Sequence, residues 1–207
     1  MARSYRLQAR AVRQHETRRR IVEAAVALHS SVGPARTSVS AVAERAGVQR
    51  HTYYRHFPDE WSLRLACSGL HDERDPFPAP EGWAAIADPA KRLRRGLRDV
   101  YAYFERNESL LANLARDAEV DPLTREIVDL RFGPALAAVR ASLAEGLARG
   151  ARRRRVLAAL DLALDFQTWR SLVRRSGLTR GQAVEFMVSA VVCGAGGTRP
   201  EGRRSGA

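Results

Sequence analysis

Residues 49–56 hold the densest run of reactive and hydrogen-bonding side chains in this 207-residue chain. Gln49, Arg50, His51, Thr52, Tyr53, Tyr54, Arg55 and His56 are all polar or amphipathic, with Val48 and Phe57 as apolar anchors at either end. A helix with donors all round is costly to pack internally, because each buried donor gives up water. The DNA major groove is wide enough to admit it and offers acceptors to those donors. Residues 39–46 fit the helix that precedes it in the pair. Val39, Val42, Ala43 and Ala46 recur at helical spacing and give a small apolar face that lets another helix come close. Ser38 suits the N-cap, and Gly47 the left-handed position that ends the helix. The pattern predicts two short helices joined by a tight turn, a helix-turn-helix at about residues 39–58.

Residues 16–65 resemble the DNA-binding domain of TetR-family transcriptional regulators. The resemblance is carried by Ile21, Ala24 and Ala25, by Gly33, Thr37, Ser38 and Val39, by the run Ala46-Gly47-Val48, and by Tyr54-Arg55-His56-Phe57-Pro58 with Leu63 following. It implies that residues 49–56 form the recognition helix. Arg50 is then the first choice for a base contact, since its forked donors match both guanine acceptors, with Gln49, His51 and Thr52 as neighbours. Tyr54 and His56 take phosphate-contacting positions, and Ser38 offers a hydroxyl and a helix N-terminus to a phosphate. Tyr53 and Arg55 are read both ways: as direct contacts, or as a partly packed aromatic and a solvated charge. Where the family often carries a lysine near the start of the fourth helix, this chain has Glu60, so no phosphate contact is expected there.

The net charge of +12 suits a polyanionic partner, although the near-exclusive use of arginine can also reflect codon composition. Residues 1–60 hold eleven arginines against five carboxylates, half of that net charge in under a third of the chain. Charge is therefore densest where the motif lies, and affinity for DNA is expected to fall with salt through counterion release. Residues 1–20 contain no apolar run that would suit a secretory signal, and no stretch of about eighteen apolar residues suggests a membrane span. The expectation is a cytoplasmic protein with no membrane association. Cys67 and Cys193 stand far apart in sequence and read as small core residues in a reducing compartment. Cys67 and His71 would share a helical face, but no second pair completes a metal site, so neither a metal nor a cofactor is expected.

An all-α fold is predicted throughout. Residues 1–15, with Arg3, Arg6, Arg10 and Arg13, read as a basic N-terminal arm, either DNA-contacting or solvated. Residues 16–76 form the DNA-binding domain, whose first helix at about 16–31 presents Ile21, Ala24, Ala25 and Leu28 on one face. The D-P-F-P-A-P run at 75–80 excludes a continuous helix and marks a connecting loop. Residues 81–193 read as a helical ligand-binding and dimerisation domain, with helices at about 89–106, 108–119, 122–149, 152–176 and 179–193. Asp88-Pro89 and Thr179 mark helix starts. Residues 194–207, rich in glycine and arginine, read as a disordered tail.

In the last two helices Val156, Leu157, Leu160, Ala163, Leu164, Phe166 and Trp169, then Val184, Phe186, Met187, Val188, Val191 and Val192, make an apolar surface wider than one core-facing stripe. Pairing with a twofold mate would cover it and present two recognition helices to a near-palindromic operator. The resemblance further implies a small-molecule inducer. Tyr101, Phe104, Phe132, Phe166 and Trp169 are candidate ligand-binding residues, in competition with plain core packing. Against an enzyme, there is no glycine-rich phosphate loop, nucleophile elbow or zinc-spaced histidine pair. Asp72 with Glu73, and Asp161 with Asp165, read as solvated faces or partners for arginines. The expectation is a ligand-responsive repressor with no catalytic residues.

Overall fold

The computed structural model describes residues 2–196, with side chains from Gln8 onward. Among these residues there is no strand. The helices are α1 (Ala2–Ser31), α2 (Val39–Arg45), α3 (Arg50–His56), α4 (Glu60–Arg74), α5 (Pro89–Arg106), α6 (Glu108–Ala118), α7 (Pro122–Ala144), α8 (Ala151–Ala163), α9 (Phe166–Arg170) and α10 (Arg180–Gly194). The expected C-terminal tail lies, from residue 197, outside the described residues. One boundary moves substantially: the segment read as an arm over residues 1–15 continues α1 back to Ala2. It contains no proline or glycine, and its arginine, glutamine, leucine and alanine residues are strong helix formers even without an apolar stripe.

The chain divides into two units. The first takes in the residues up to Pro76 together with Glu108–Arg131. Its core gathers Ile21, Val22, Ala24 and Ala25 of α1, Val42 and Ala43 of α2, Tyr53 and Phe57 around α3, and Leu63 and Cys67 of α4. Local chemistry sets the boundaries. Ser38 Oγ accepts the Ala41 N–H at 3.1 Å, and Asp59 Oδ1 accepts the Ser62 N–H at 2.7 Å. Gly47, at φ 63°, ends α2 in the left-handed conformation that suits glycine.

The end of α6 holds the turn that leads from α1 into α2. Asn113 Nδ2 donates to the carbonyls of His29 at 3.2 Å and Ser30 at 2.9 Å. Arg116 Nη2 donates to the Val32 carbonyl at 2.7 Å, and Asp117 Oδ2 accepts the Ala35 N–H at 3.0 Å. Gly33, at φ 97°, makes this approach possible, since a Cβ there would overlap the Asp117 carboxylate and the Arg116 guanidinium. Arg64 adds a second tie, pairing with Asp121 and donating to Thr124 Oγ1 at 2.8 Å, while Arg131 reaches Ser68 Oγ at 2.9 Å.

His29 is buried beside this turn. Loss of water, reinforced by the charge of Arg64 and opposed by Asp117, lowers its pKa from 6.5 to about 4. The folded chain keeps His29 neutral where the unfolded chain protonates it first. Its stabilising contribution is therefore whole above pH 6.5 and is lost as pH falls toward about 4, a change of about 3 kcal/mol. Denaturant titrations near pH 7.5 and pH 4.5 are expected to show a drop that shrinks in His29→Gln.

The second unit comprises Phe77–Asn107 and the residues from Phe132 on. There α10 packs on α5 and α8 around Leu93, Leu97, Val100, Leu143, Val156, Leu160, Val184 and Val191. Asp88 Oδ1 caps α5 by accepting the Lys91 N–H at 2.9 Å, and Thr179 with Gln182 forms a reciprocal capping box on α10. Arg92 is buried and donates to the carbonyls of Ile86 at 2.8 Å, Ser142 at 3.1 Å and Glu145. Two of these lie at the C-terminal end of α7, where carbonyls lack helical partners and favour a cation.

The single helix expected over residues 152–176 is divided. α8 stops at Ala163, and Asp165 accepts the Thr168 N–H at 2.6 Å to start α9, which runs into a wider π-type turn over Ser171–Arg175. The apolar excess on the last helices is also narrower than the sequence implied. Val156, Leu160, Ala163, Leu164, Trp169, Val184, Met187, Val188 and Val191 are buried within the unit and Leu157, Phe166 and Val192 are half-buried, while Leu162, 59 % exposed, and Phe186, 56 % exposed, face outward. No helix among the described residues is long and apolar enough to cross a membrane.

Candidate nucleic-acid interface

Two aromatic rings set the attitude of α3. Tyr53 is 2 % exposed and Phe57 is fully buried; one helical turn apart, they share a face and pack with ring centroids 6.1 Å apart. Tyr53 is thus a core anchor: of its two readings, DNA contact and packed aromatic, the buried ring takes the second, because the i to i+4 match with Phe57 turns it inward. Burial pushes its phenol up to about 12, so it stays neutral.

With that face inside, Gln49, Arg50, His51, Tyr54 and Arg55 are left exposed, and Thr52 is half-buried. Tyr54 stands edge-on to Tyr53 at 5.4 Å and is 44 % exposed, which fixes its ring while leaving surface for a partner. Thr52 Oγ1 lies 3.2 Å from His51 Nε2, with donor and acceptor set by the histidine tautomer. Ser38 uses its oxygen as an acceptor for the α2 cap, and its hydroxyl proton stays available to an outside acceptor. His56 fits its expected phosphate role less directly. It is half-buried, its Nε2 is enclosed without a hydrogen-bond partner, and burial together with the charges of Arg55 and Arg18 lowers its pKa. A contact through that nitrogen requires the ring to turn.

Arg18 of α1 lies over the Phe57 ring, 4.7 Å from its centroid, so α1 contributes positive charge beside the end of α3. Sequence patterning missed this neighbour, and it missed Asn113, Arg116 and Asp117. Those groups meet backbone more than eighty residues away and leave no local periodicity. Glu60, the departure from the family pattern, pairs with Arg64 at 3.1 Å.

Of the candidate ligand residues, four come together. Phe104 lies 6.1 Å from Tyr101, 5.6 Å from Phe166 and 6.0 Å from Trp169, with Phe166 stacked on Trp169 at 5.6 Å. Phe132 sits apart, against Phe77 at 5.9 Å and Tyr103 at 6.4 Å. The Tyr101 hydroxyl and Trp169 Nε1 are enclosed without hydrogen-bond partners, which is uncommon for buried donors. Of the carboxylates weighed for catalysis, Asp161 pairs with Arg140, Nη2 to Oδ2 at 2.9 Å, Asp165 caps α9, and Asp72 and Glu73 are exposed. Among the described residues no group of three or more His, Cys, Asp or Glu is placed to hold a metal ion.

Residues 21–67 match the family model of bacterial regulatory proteins, tetR family. Over 133 residues the chain is 29 % identical to the HTH-type transcriptional repressor KstR of Mycobacterium tuberculosis, spanning 60 % of each chain. Over 103 residues it is 32 % identical to KstR of Mycolicibacterium smegmatis, spanning 50 % of each. The match thus covers half to three-fifths of the length of these relatives. The fold resembles a linker-substituted HlyIIR mutant with a TM-score of 0.63 at 16 % identity, over 91 % of this chain and 99 % of that one. It also resembles the transcriptional regulator FadR from Bacillus subtilis in complex with stearoyl-CoA, with a TM-score of 0.60 at 18 % identity, over 84 % and 97 %.

Proposed function

We propose that this chain, whose residues 21–67 match the family model of bacterial regulatory proteins, tetR family, is a transcriptional repressor rather than an enzyme, one that binds a near-palindromic operator as a homodimer. The observation that carries the reading is the outward face of α3, where Arg50, His51, Tyr54 and Arg55 are exposed while Tyr53 and Phe57 lock the helix into the core. Arg50 is assigned a bidentate base contact, with Gln49, His51 and Thr52 beside it. Tyr54, Arg55, His56 and Ser38 are assigned to phosphates, where they set position and not sequence.

Residues 16–76 form the reading domain in this proposal, with residues 108–131 joined to it, and the rest of residues 81–193 form the body. The body pairs with its mate through α8 and α10, a reading supported by the exposed Leu162 and Phe186. A small apolar or amphipathic inducer is assigned to the Tyr101, Phe104, Phe166 and Trp169 cluster, whose two unpartnered donors suit an acceptor group. Such a ligand lifts repression only by binding the DNA-incompetent state more tightly, since equal affinities shift nothing.

Selection of bound fragments from a random DNA pool tests the reading. An enriched motif with two inverted half-sites about one helical turn apart is expected. Recovery of fragments with no shared motif would sink it.

A further inference from the structure

We propose that the N-terminal half of α1 is a second DNA-contacting element, a continuous basic helix that lays arginines on backbone phosphates outside the base pairs read by α3. This rests on the reading of α3 as the recognition helix, and it concerns a segment to which that reading gives no task.

Arginine occupies positions 3, 6, 10, 13 and 20 of the chain, alternating steps of three and four before the last. At about 100° per residue these positions fall within a sector of about 100°, one stripe along a single helix. Positions 3 to 13 span about 15 Å of helix axis, comparable to four or five base pairs at about 3.4 Å each. Arg10, Arg13, Arg18, Arg19 and Arg20 are all exposed, and Glu16 is the one carboxylate before Glu23. None of these five arginines forms an ion pair among the described residues. Exposed arginines elsewhere do, as in Arg74 with Glu23 and Arg95 with Asp99. Solvated arginines that lack carboxylate partners are the groups that release counterions when they meet phosphate.

The stripe is also held in register with α3. α1 runs unbroken to Ser31 without proline or glycine, its residues Ile21, Val22, Ala24 and Ala25 share the core that buries Tyr53 and Phe57, and Arg18 sits on the Phe57 ring. A helix anchored in this way loses little conformational freedom on reaching DNA, whereas a loose arm must be ordered at each binding event.

The test uses the full chain and its selected operator, as a duplex ending flush with the motif and as one extended by about ten base pairs on each side, about one helical turn of DNA. One variant carries Arg3→Gln, Arg6→Gln, Arg10→Gln and Arg13→Gln, which keep helix propensity. A charge-matched control replaces Lys91, Arg95, Arg98 and Arg149, exposed cations outside α8 and α10, by glutamine. The native chain is expected to bind the extended duplex more tightly than the flush one, with a steeper dependence of log K on log salt. The α1 variant is expected to bind both duplexes alike, with a salt slope lower by about 0.9 for each phosphate that is no longer neutralised, or about 3 to 4 per protomer. The control keeps the native difference. The proposal is overturned by an α1 variant with the native slope and footprint, by a control whose slope falls as far, or by a native chain indifferent to duplex length. Absence of any selected operator would instead overturn the reading of α3.

Discussion

Replacing Tyr53 by alanine is expected to destabilise the first unit by about 3–5 kcal/mol, the range for removing a large buried aromatic side chain. Tyr53→Phe, by contrast, should leave both stability and operator binding close to native. The contrast decides between two roles that the residue type alone permits. The ring is 2 % exposed, packed on Phe57 and edge-on to Tyr54. A groove residue would behave in the opposite way, since removing the phenol hydroxyl would weaken DNA binding while truncation left the fold intact. Denaturant unfolding and fluorescence anisotropy on the same three proteins separate the cases. A Tyr53→Ala protein of native stability would remove the anchor assignment.

Arg50→Ala is expected to weaken operator binding by about 1–3 kcal/mol, roughly five- to 150-fold, and to relax the preference at one position of each half-site. The fold should be unaffected, because Arg50 is exposed and starts α3 without making its cap. The effect has a signature beyond its size. A base contact discriminates between sequences, so the loss should be large on the selected operator and small on scrambled DNA. A phosphate contact would lower both by a similar factor and reduce the salt slope by about 1. Titrations on the two DNAs at two salt concentrations distinguish these outcomes. A uniform loss would move Arg50 from bases to backbone.

The parts of this molecule that were legible in its sequence are those decided within a few residues. Ser38, Asp88 and Thr179 cap the helices they were expected to cap, and Gly47 takes the left-handed turn. The apolar positions of α2 point inward as their spacing required. What escaped depends on partners distant along the chain. Tyr53 is one of two adjacent tyrosines in a seven-residue polar helix, too short for a periodicity to decide between its two readings. Arg92, whose residue type gives no sign of burial, caps the far end of α7. Asp165 resembles any charged residue of a long helix until its side chain takes the Thr168 N–H and divides α8 from α9. The candidate site shows the same split: its exposed donors were legible, while the inward turn of Tyr53, the reach of Arg18 and the separation of Phe132 from the other aromatic candidates were not.

The grip of Asn113, Arg116 and Asp117 on residues 29–35 bears on how this protein can be taken apart. A fragment cut at Pro76 would keep every residue of the helix-turn-helix yet strand the backbone groups that these side chains satisfy. Gly33, shaped to receive them, would face empty space. The reading head is therefore not a transplantable cassette of contiguous sequence; a chimera that borrows its specificity must bring residues 108–131 along with the first seventy-six.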